Sequence, residues 1–252
     1  PFLAHFEAVP GNFPPPLRER LIRFAPGTLQ LEVGIQTMDP EAAARIGRRM
    51  DPDTIKETIN FLEQETRVHL HTDLIIGLPG EDAAAFGRGL DQLAALTDAE
   101  IQLGILKKLS GTTLDRHDAA FGMVYETTPP YTLLANNLIP FPEMQELVRM
   151  ARYWDLVRNS GNFRETVRLL LPGSEIYQSF RTLSSWLYQE CGTSWNIALN
   201  RLAEMLFRYL IREMGLDAAT AAAALAGDLI RATGKSPPPF LREHTDLQPD
   251  RN

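Results

Sequence analysis

Asp73-Leu74-Ile75-Ile76-Gly77-Leu78-Pro79-Gly80-Glu81 is the stretch on which the reading of this 252-residue chain turns. It starts inside an apolar run and ends in a glycine–proline turn. Side chains alternate between the two faces of a strand. Over residues 68–76, Leu70, Leu74 and Ile76 therefore share one face, and His69, His71 and Asp73 share the other. The pattern predicts a strand with an apolar back, a polar front and a turn at its C-terminal end.

Three further segments have the same texture. Over residues 29–37, Leu31, Val33 and Ile35 oppose Gln30, Glu32, Gly34 and Gln36; over 100–106, Ile101, Leu103 and Ile105 oppose Glu100, Gln102 and Gly104. Over 4–9, Phe6 opposes His5 and Glu7. Helix signals lie between the strands. Residues 15–24 follow the first. Asp39-Pro40 and Asp51-Pro52 each place a capping Asp before a proline suited to a first helical turn. Ile55, Ile59 and Leu62 then mark one helical face, and Phe86, Leu90 and Leu93 another. Strands separated by helices of this length pair in parallel through crossovers.

Parallel sheets covered on both faces read as continuous apolar runs, and closed eight-stranded barrels fill their interior with branched apolar side chains. Neither fits strands that are apolar on one side and polar with glycine on the other. The expected fold is α/β: a partial (β/α) TIM-type barrel of about four parallel strands, its lumen shaped for a polar ligand, followed by an all-α domain. The alternative is that the polar face is simply exposed to solvent.

Strand signals nearly vanish from about residue 115. The expected organisation is residues 1–114 as the C-terminal part of a partial barrel, 115–234 as a helical domain and 235–252 as a disordered tail. The tail begins with Lys235 and holds three consecutive prolines followed by mostly polar residues. In the helical half, Met144, Leu147, Ala151 and Trp154 share a face, as do Leu199, Leu202, Leu206 and Leu210. These stripes read as core. Tyr131, Trp154, Trp186 and Trp195 are aromatic candidates for a substrate pocket, and aromatic residues are core by default. Asn159-Ser160-Gly161-Asn162 reads as a helix stop and turn.

Composition narrows the function classes. The net charge of −7 argues against phosphate-driven nucleic-acid binding. No apolar run approaches the roughly eighteen residues of a membrane span. A start at Pro1 rather than Met, with a strand that lacks partners, is expected of a fragment of something longer. The single cysteine, Cys191, cannot form an internal disulfide or by itself hold an iron–sulfur cluster. It reads as a packed thiol in a cytoplasmic protein.

Taken in order, Glu32-x-Gly34-Ile35-Gln36, Arg48 twelve residues after Gln36, and Asp73-Leu74-Ile75-x-Gly77-Leu78-Pro79-Gly80 resemble the radical S-adenosylmethionine (SAM) barrel. The resemblance is to the branch typified by oxygen-independent coproporphyrinogen oxidase and the methylthiotransferases. The continuation Gln102-Leu103-Gly104-Ile105-Leu106-Lys107, Ser110-Gly111-Thr112 and Pro129-Pro130-Tyr131 resembles a narrower group with an upstream cobalamin-binding domain and a C-terminal helical domain of unassigned role.

The resemblance implies that the intact parent is an enzyme. It would cleave SAM reductively with a [4Fe–4S] cluster to a 5′-deoxyadenosyl radical and act on an unknown substrate, with cobalamin a candidate second cofactor. It assigns Glu7 to the methionine part of SAM, Gln36 to the Gly-x-Gln motif, Arg48 to the cofactor carboxylate, Asp73 to the ribose hydroxyls and Gly77 to the adenine side. Glu32 faces the same lumen. Arg49 is an adjacent candidate for the basic role. The family's CxxxCxxC loop is not in this sequence, so this chain alone is expected to hold no cluster and to be inactive.

Two readings of other classes stand beside it. His69, His71 and Asp73 could form the metal site of an amidohydrolase-like barrel, since zinc takes His and Asp ligands. The chain could instead be a non-catalytic interaction module that docks through its helical half. For partners, the expectation is a small-molecule cofactor, no membrane, and self-association through the exposed first strand.

Overall fold

The computed structural model describes residues 2–48 and 51–248, so Arg49, the second basic candidate, lies outside the described residues. The chain forms two compact units, Pro1–Val148 and Arg149–Asn252.

The first unit is built on a four-stranded sheet in the order β1 (Ala4–Ala8), β2 (Leu29–Gln36), β3 (His69–Ile76) and β4 (Glu100–Ile105), every pair parallel. Helices α1 (Pro15–Leu21), α2 (Pro40–Arg45), α3 (Pro52–Glu65) and α4 (Ala83–Leu96) fill the crossovers. Three of them start as their sequences dictate. Asp39, Asp51 and Asp82 each accept the backbone N–H three residues on, from Ala42, Thr54 and Ala85, which satisfies a donor that the helix itself leaves free.

The strand alternation is real. Leu31, Val33 and Ile35 of β2, Leu70, Leu74 and Ile76 of β3, and Ile101 of β4 are at most 5% exposed. So are the stripes Ile55, Ile59 and Leu62 of α3 and Phe86, Leu90 and Leu93 of α4. Each such side chain contributes roughly 1.5–3 kcal/mol on leaving water. Strand backs and helix stripes together form the core, and the opposite face of the sheet keeps its polar side chains. The fold is thus α/β with a parallel partial-barrel sheet and a large helical complement. The edge strand β1 is different: Phe6 is 59% exposed.

A helical turn and α5 (Asp118–Phe121) follow, then a small antiparallel pair, β5 (Val124–Tyr125) and β6 (Leu133–Ala135). Two- and three-residue strands are too short to show alternation, which is why the sequence reading missed them. Helix α6 (Phe141–Trp154) comes next, and a π-helical turn ends at Asn159, where the stop signal was read.

The second unit continues with α7 (Arg164–Leu170), α8 (Ile176–Cys191), α9 (Leu199–Arg212), α10 (Ala218–Thr233) and α11 (Pro239–Arg242). Leu202, Leu206 and Leu210 are buried, and so is Trp154, whose ring meets Phe180 edge-on. Trp195 is 63% exposed and stacks under the Arg152 guanidinium instead. Within the stretch expected to be a disordered tail, α11 forms and buries Leu241 completely. No helix among the described residues is long and apolar enough to cross a membrane.

Candidate functional site

Parallel pairing sets same-face residues side by side across the sheet. One row runs Glu7, Glu32, His71, Glu100, and the next runs Gly34, Asp73, Gln102. Beyond them, at the C-terminal ends of the strands, lies a cavity of about 530 Å³. Glu32, Gln36, Arg48 and Asp73 all line it.

These residues are held by one another. Between Gly34 and Gln36 the β2–β3 register slips, so β2 carries a bulge, a device that re-aims a side chain. Gln36 takes a left-handed backbone conformation, φ 70°, which strains a non-glycine residue by about 1–3 kcal/mol. The bulge directs two donors at one carboxylate. The Ile35 N–H donates to Asp73 Oδ1 (2.9 Å) and Gln36 Nε2 donates to Asp73 Oδ2 (2.6 Å).

Arg48 is placed by the end of α2. Gly47 is left-handed (φ 76°) and donates to Ala44 O, and the Arg48 N–H donates to Ala43 O. This pair of bonds is a Schellman helix stop. From there Arg48 Nη1 donates to Gly34 O at 2.6 Å. Position 34 is tight: a Cβ would come within 3.3 Å of both Arg48 Nη1 and Gln36 Nε2, and these side-chain ends would have to shift to admit it.

Burial raises the Asp73 carboxyl to about 6, and the charge of Glu32 adds to the shift. The Ile35 and Gln36 N–H groups and the Arg48 guanidinium oppose it. Each Asp73 oxygen keeps a second lone pair for a ligand donor. The wall thus offers carboxylate acceptors at Glu32 and Asp73, a guanidinium at Arg48, and aliphatic surface from Ile46, Leu78, Leu106 and Leu114. Such a site suits a ligand that carries hydroxyl or ammonium donors, a carboxylate and an apolar ring.

The other two candidates sit differently. Glu7 lies exposed on the edge strand, in register with Glu32. Gly77 is left-handed (φ 92°), and a Cβ there would fall 2.4 Å from Leu133 Cδ2 and 3.2 Å from Met144 Cε. Its lack of a side chain serves close packing on β6 and α6. Gln102, Gly104, Lys107, Thr112 and Thr113 also line the cavity. The alternation of β4 marked Gln102 and Gly104 as inward, whereas the loop residues depend on how the chain folds back after β4.

The metal triad expected from His69, His71 and Asp73 does not assemble: Asp73 is turned toward Ile35 and Gln36 and is not grouped with the two histidines. The described residues group His69 and His71 with Glu100 instead. Burial lowers the His71 imidazole, with His69 and His5 adding and the Glu100 and Glu32 carboxylates opposing.

The strand ends of the parallel sheet thus carry a bulged Gly-Ile-Gln segment that clasps an aspartate. The chain is similar to the probable threonylcarbamoyladenosine tRNA methylthiotransferase of Pyrococcus abyssi (strain GE5 / Orsay), 28% identical over 83 residues, which are 32% of this chain and 20% of that protein. Its counterpart from Pyrococcus horikoshii is 26% identical over the same shares. The chain spans about a fifth of the length of these curated relatives. The solved structure titled "Coproporphyrinogen III oxidase (HemN) from Escherichia coli is a Radical SAM enzyme" matches with a TM-score of 0.38 and 21% identity, over 42% of this chain and 24% of that one. The sequence similarity and the strand-end motifs support a relationship to the radical SAM superfamily. Residues 119–252, more than half of the chain, match the family described as "Protein of unknown function (DUF4080)", and the chain belongs to that family.

Proposed function

We propose that residues of the first unit form part of the SAM-binding site of a radical SAM enzyme. The observation that carries this reading is the Asp73 carboxylate, fixed at the cavity wall by Ile35 and Gln36. A carboxylate with both oxygens oriented by the protein, and lone pairs left over, is built to accept a diol. Arg48, next to it, offers a guanidinium for a ligand carboxylate. Glu32 is an acceptor for an ammonium group, and the aliphatic wall covers a flat ring. When bound beside a reduced cluster, SAM supplies the radical chemistry. This chain's own share is to orient the ligand and to exclude water from one side of it.

The residues present do not fit the cluster itself. A [4Fe–4S] centre needs several thiolates, and the one cysteine, Cys191, donates its thiol to Thr193 O at 2.8 Å in the second unit. Under this proposal the cluster ligands are residues other than these 252. Any use of cobalamin enters only through the sequence resemblance.

The test is calorimetry of SAM binding to the full-length protein and its Asp73→Ala variant, with circular dichroism as a control for folding. Losing a charge-assisted bond costs about 1.5–3 kcal/mol, so affinity should fall about tenfold to hundredfold. Unchanged affinity in a folded variant removes Asp73 from the site.

A further inference from the structure

The amino-terminal ends of β3 and β4 carry a second polar cluster, which the cofactor reading does not use. His69 is the first residue of β3, His71 lies two residues on along the same face, and Glu100 opens β4 in register with His71. We propose that His69, His71 and Glu100 form a binding site for a divalent transition cation of the zinc class. The inference is independent of SAM binding.

Distance is the first argument. A tetrahedral centre with metal–nitrogen bonds of about 2.0–2.1 Å sets two nitrogen ligands roughly 3.3–3.4 Å apart. His69 Nδ1 and His71 Nε2 are 3.3 Å apart, with their rings nearly perpendicular at 89°. The Glu100 oxygens lie 3.5 Å from His71 Nδ1 and 4.0 Å from His69 Nε2, and one ligand atom from each of the three residues lies within 4.8 Å of those of the other two.

The surroundings supply the second argument. A ligating histidine usually donates its other N–H to a neighbour that fixes the tautomer. Gln102 Nε2 lies 3.1 Å from His71 Nδ1. Which end of a Gln amide faces a ring is set by the hydrogen-bond network. Gln30 Nε2 and Glu100 Oε2 also face Nδ1, each at 3.5 Å; with the Gln102 amide reversed, its Oε1 accepts the Nδ1 proton, and a cation would take the place of the contact between His71 Nε2 and His69 Nδ1. Access is the third argument. The His71 side chain is 9% exposed, whereas that of His69 is 59% and that of Glu100 33%. One ligand is thus held by the sheet and two can adjust, which leaves a fourth position for water. Three protein ligands with an open position is the arrangement of accessible zinc sites.

The experiment is titration of the tag-free chain with Co²⁺ by visible absorption, and with Zn²⁺ against a competing chelator dye. The expected result is one equivalent, with the d–d bands of a four-coordinate nitrogen–oxygen site and a higher Tm in excess Zn²⁺. His69→Ala and Glu100→Gln alter an exposed and a half-buried side chain and should each weaken the Kd at least tenfold with an unchanged circular dichroism spectrum. His117→Ala and His244→Ala should leave it as it was. Binding below half an equivalent, or a His69→Ala Kd within twofold of the parent, overturns the site and leaves an ordinary hydrogen-bonded pair of imidazoles.

Discussion

Glu81 closes the Gly-Leu-Pro-Gly turn with a carboxyl that water hardly reaches; the residue is 1% exposed. Its Oε1 accepts the Thr37 hydroxyl at 2.5 Å, while Oε2 has no partner among the described residues. Burial raises this carboxyl from 4.5 to about 7. The Thr37 bond opposes the shift, and the charges of Asp39 and Asp82 add to it. The folded chain therefore binds the proton more tightly than the unfolded chain does. Stability from this group is present below about 4.5 and is lost as pH rises toward 7. A shift of that size is worth at most roughly 3 kcal/mol. Glu81→Gln should flatten the fall in denaturant midpoint across this pH window and be the more stable protein at pH 8. Parallel pH profiles for the two proteins would refute that. Asp73 titrates with the same sign, so the comparison must be made between the two proteins at each pH.

Helix α7 shows how an element can depend on a residue far along the chain. Phe163, which precedes it, makes no side-chain cap. Asp228 of α10 supplies one: its carboxylate accepts the backbone N–H groups of Glu165 (3.2 Å) and Thr166 (2.8 Å), and the Thr166 hydroxyl. Arg231 donates to it from one turn on. A fully buried charge is tolerated here because every donor is aimed at it. Asp228→Ala leaves two helix N–H groups without an acceptor and should cost about 2–4 kcal/mol in urea unfolding. Exchange protection should fall first at the start of α7. A loss under about 0.5 kcal/mol would mean that water replaces the carboxylate.

At the scale of the molecule, the exposed edge of the sheet is the feature with a consequence in solution. Among the described residues β1 pairs only with β2, and Phe2, Leu3, Phe6 and Val9 are 45–71% exposed along it. A strand edge with unpaired backbone groups and apolar side chains is a template for another strand. The chain is expected to associate with a second copy through β1, a two-fold dimer being the simplest closed form. Sedimentation should show concentration-dependent association that Phe6→Lys suppresses. A clean monomer at high concentration, with the amides of residues 4–8 exchanging freely, would show that the edge is tolerated.

Much of the first unit was legible along the chain because its causes are local. Side-chain alternation depends only on a residue's neighbours, so β2, β3 and β4 emerge within a residue or so of where the polar and apolar runs place them. Asp-Pro starts act inside one turn of helix and mark α2 and α3 for the same reason. The inward face of Glu32 and Asp73 follows from that parity, whereas Gln36 is aimed by the bulge. Other features depend on register and on contacts across long separations, which no local pattern encodes. Pairing of β3 with β4 makes Glu100, not Asp73, the acid beside the histidines. The bulge at Gly34–Gln36 spends Asp73 on β2 and gives the site its shape. Asp228 reaches back 62 residues to Thr166. β5 and β6 are too short to declare themselves and exist because each backs the other. A period can be read wherever it occurs, but a partner is chosen only when the whole chain has folded.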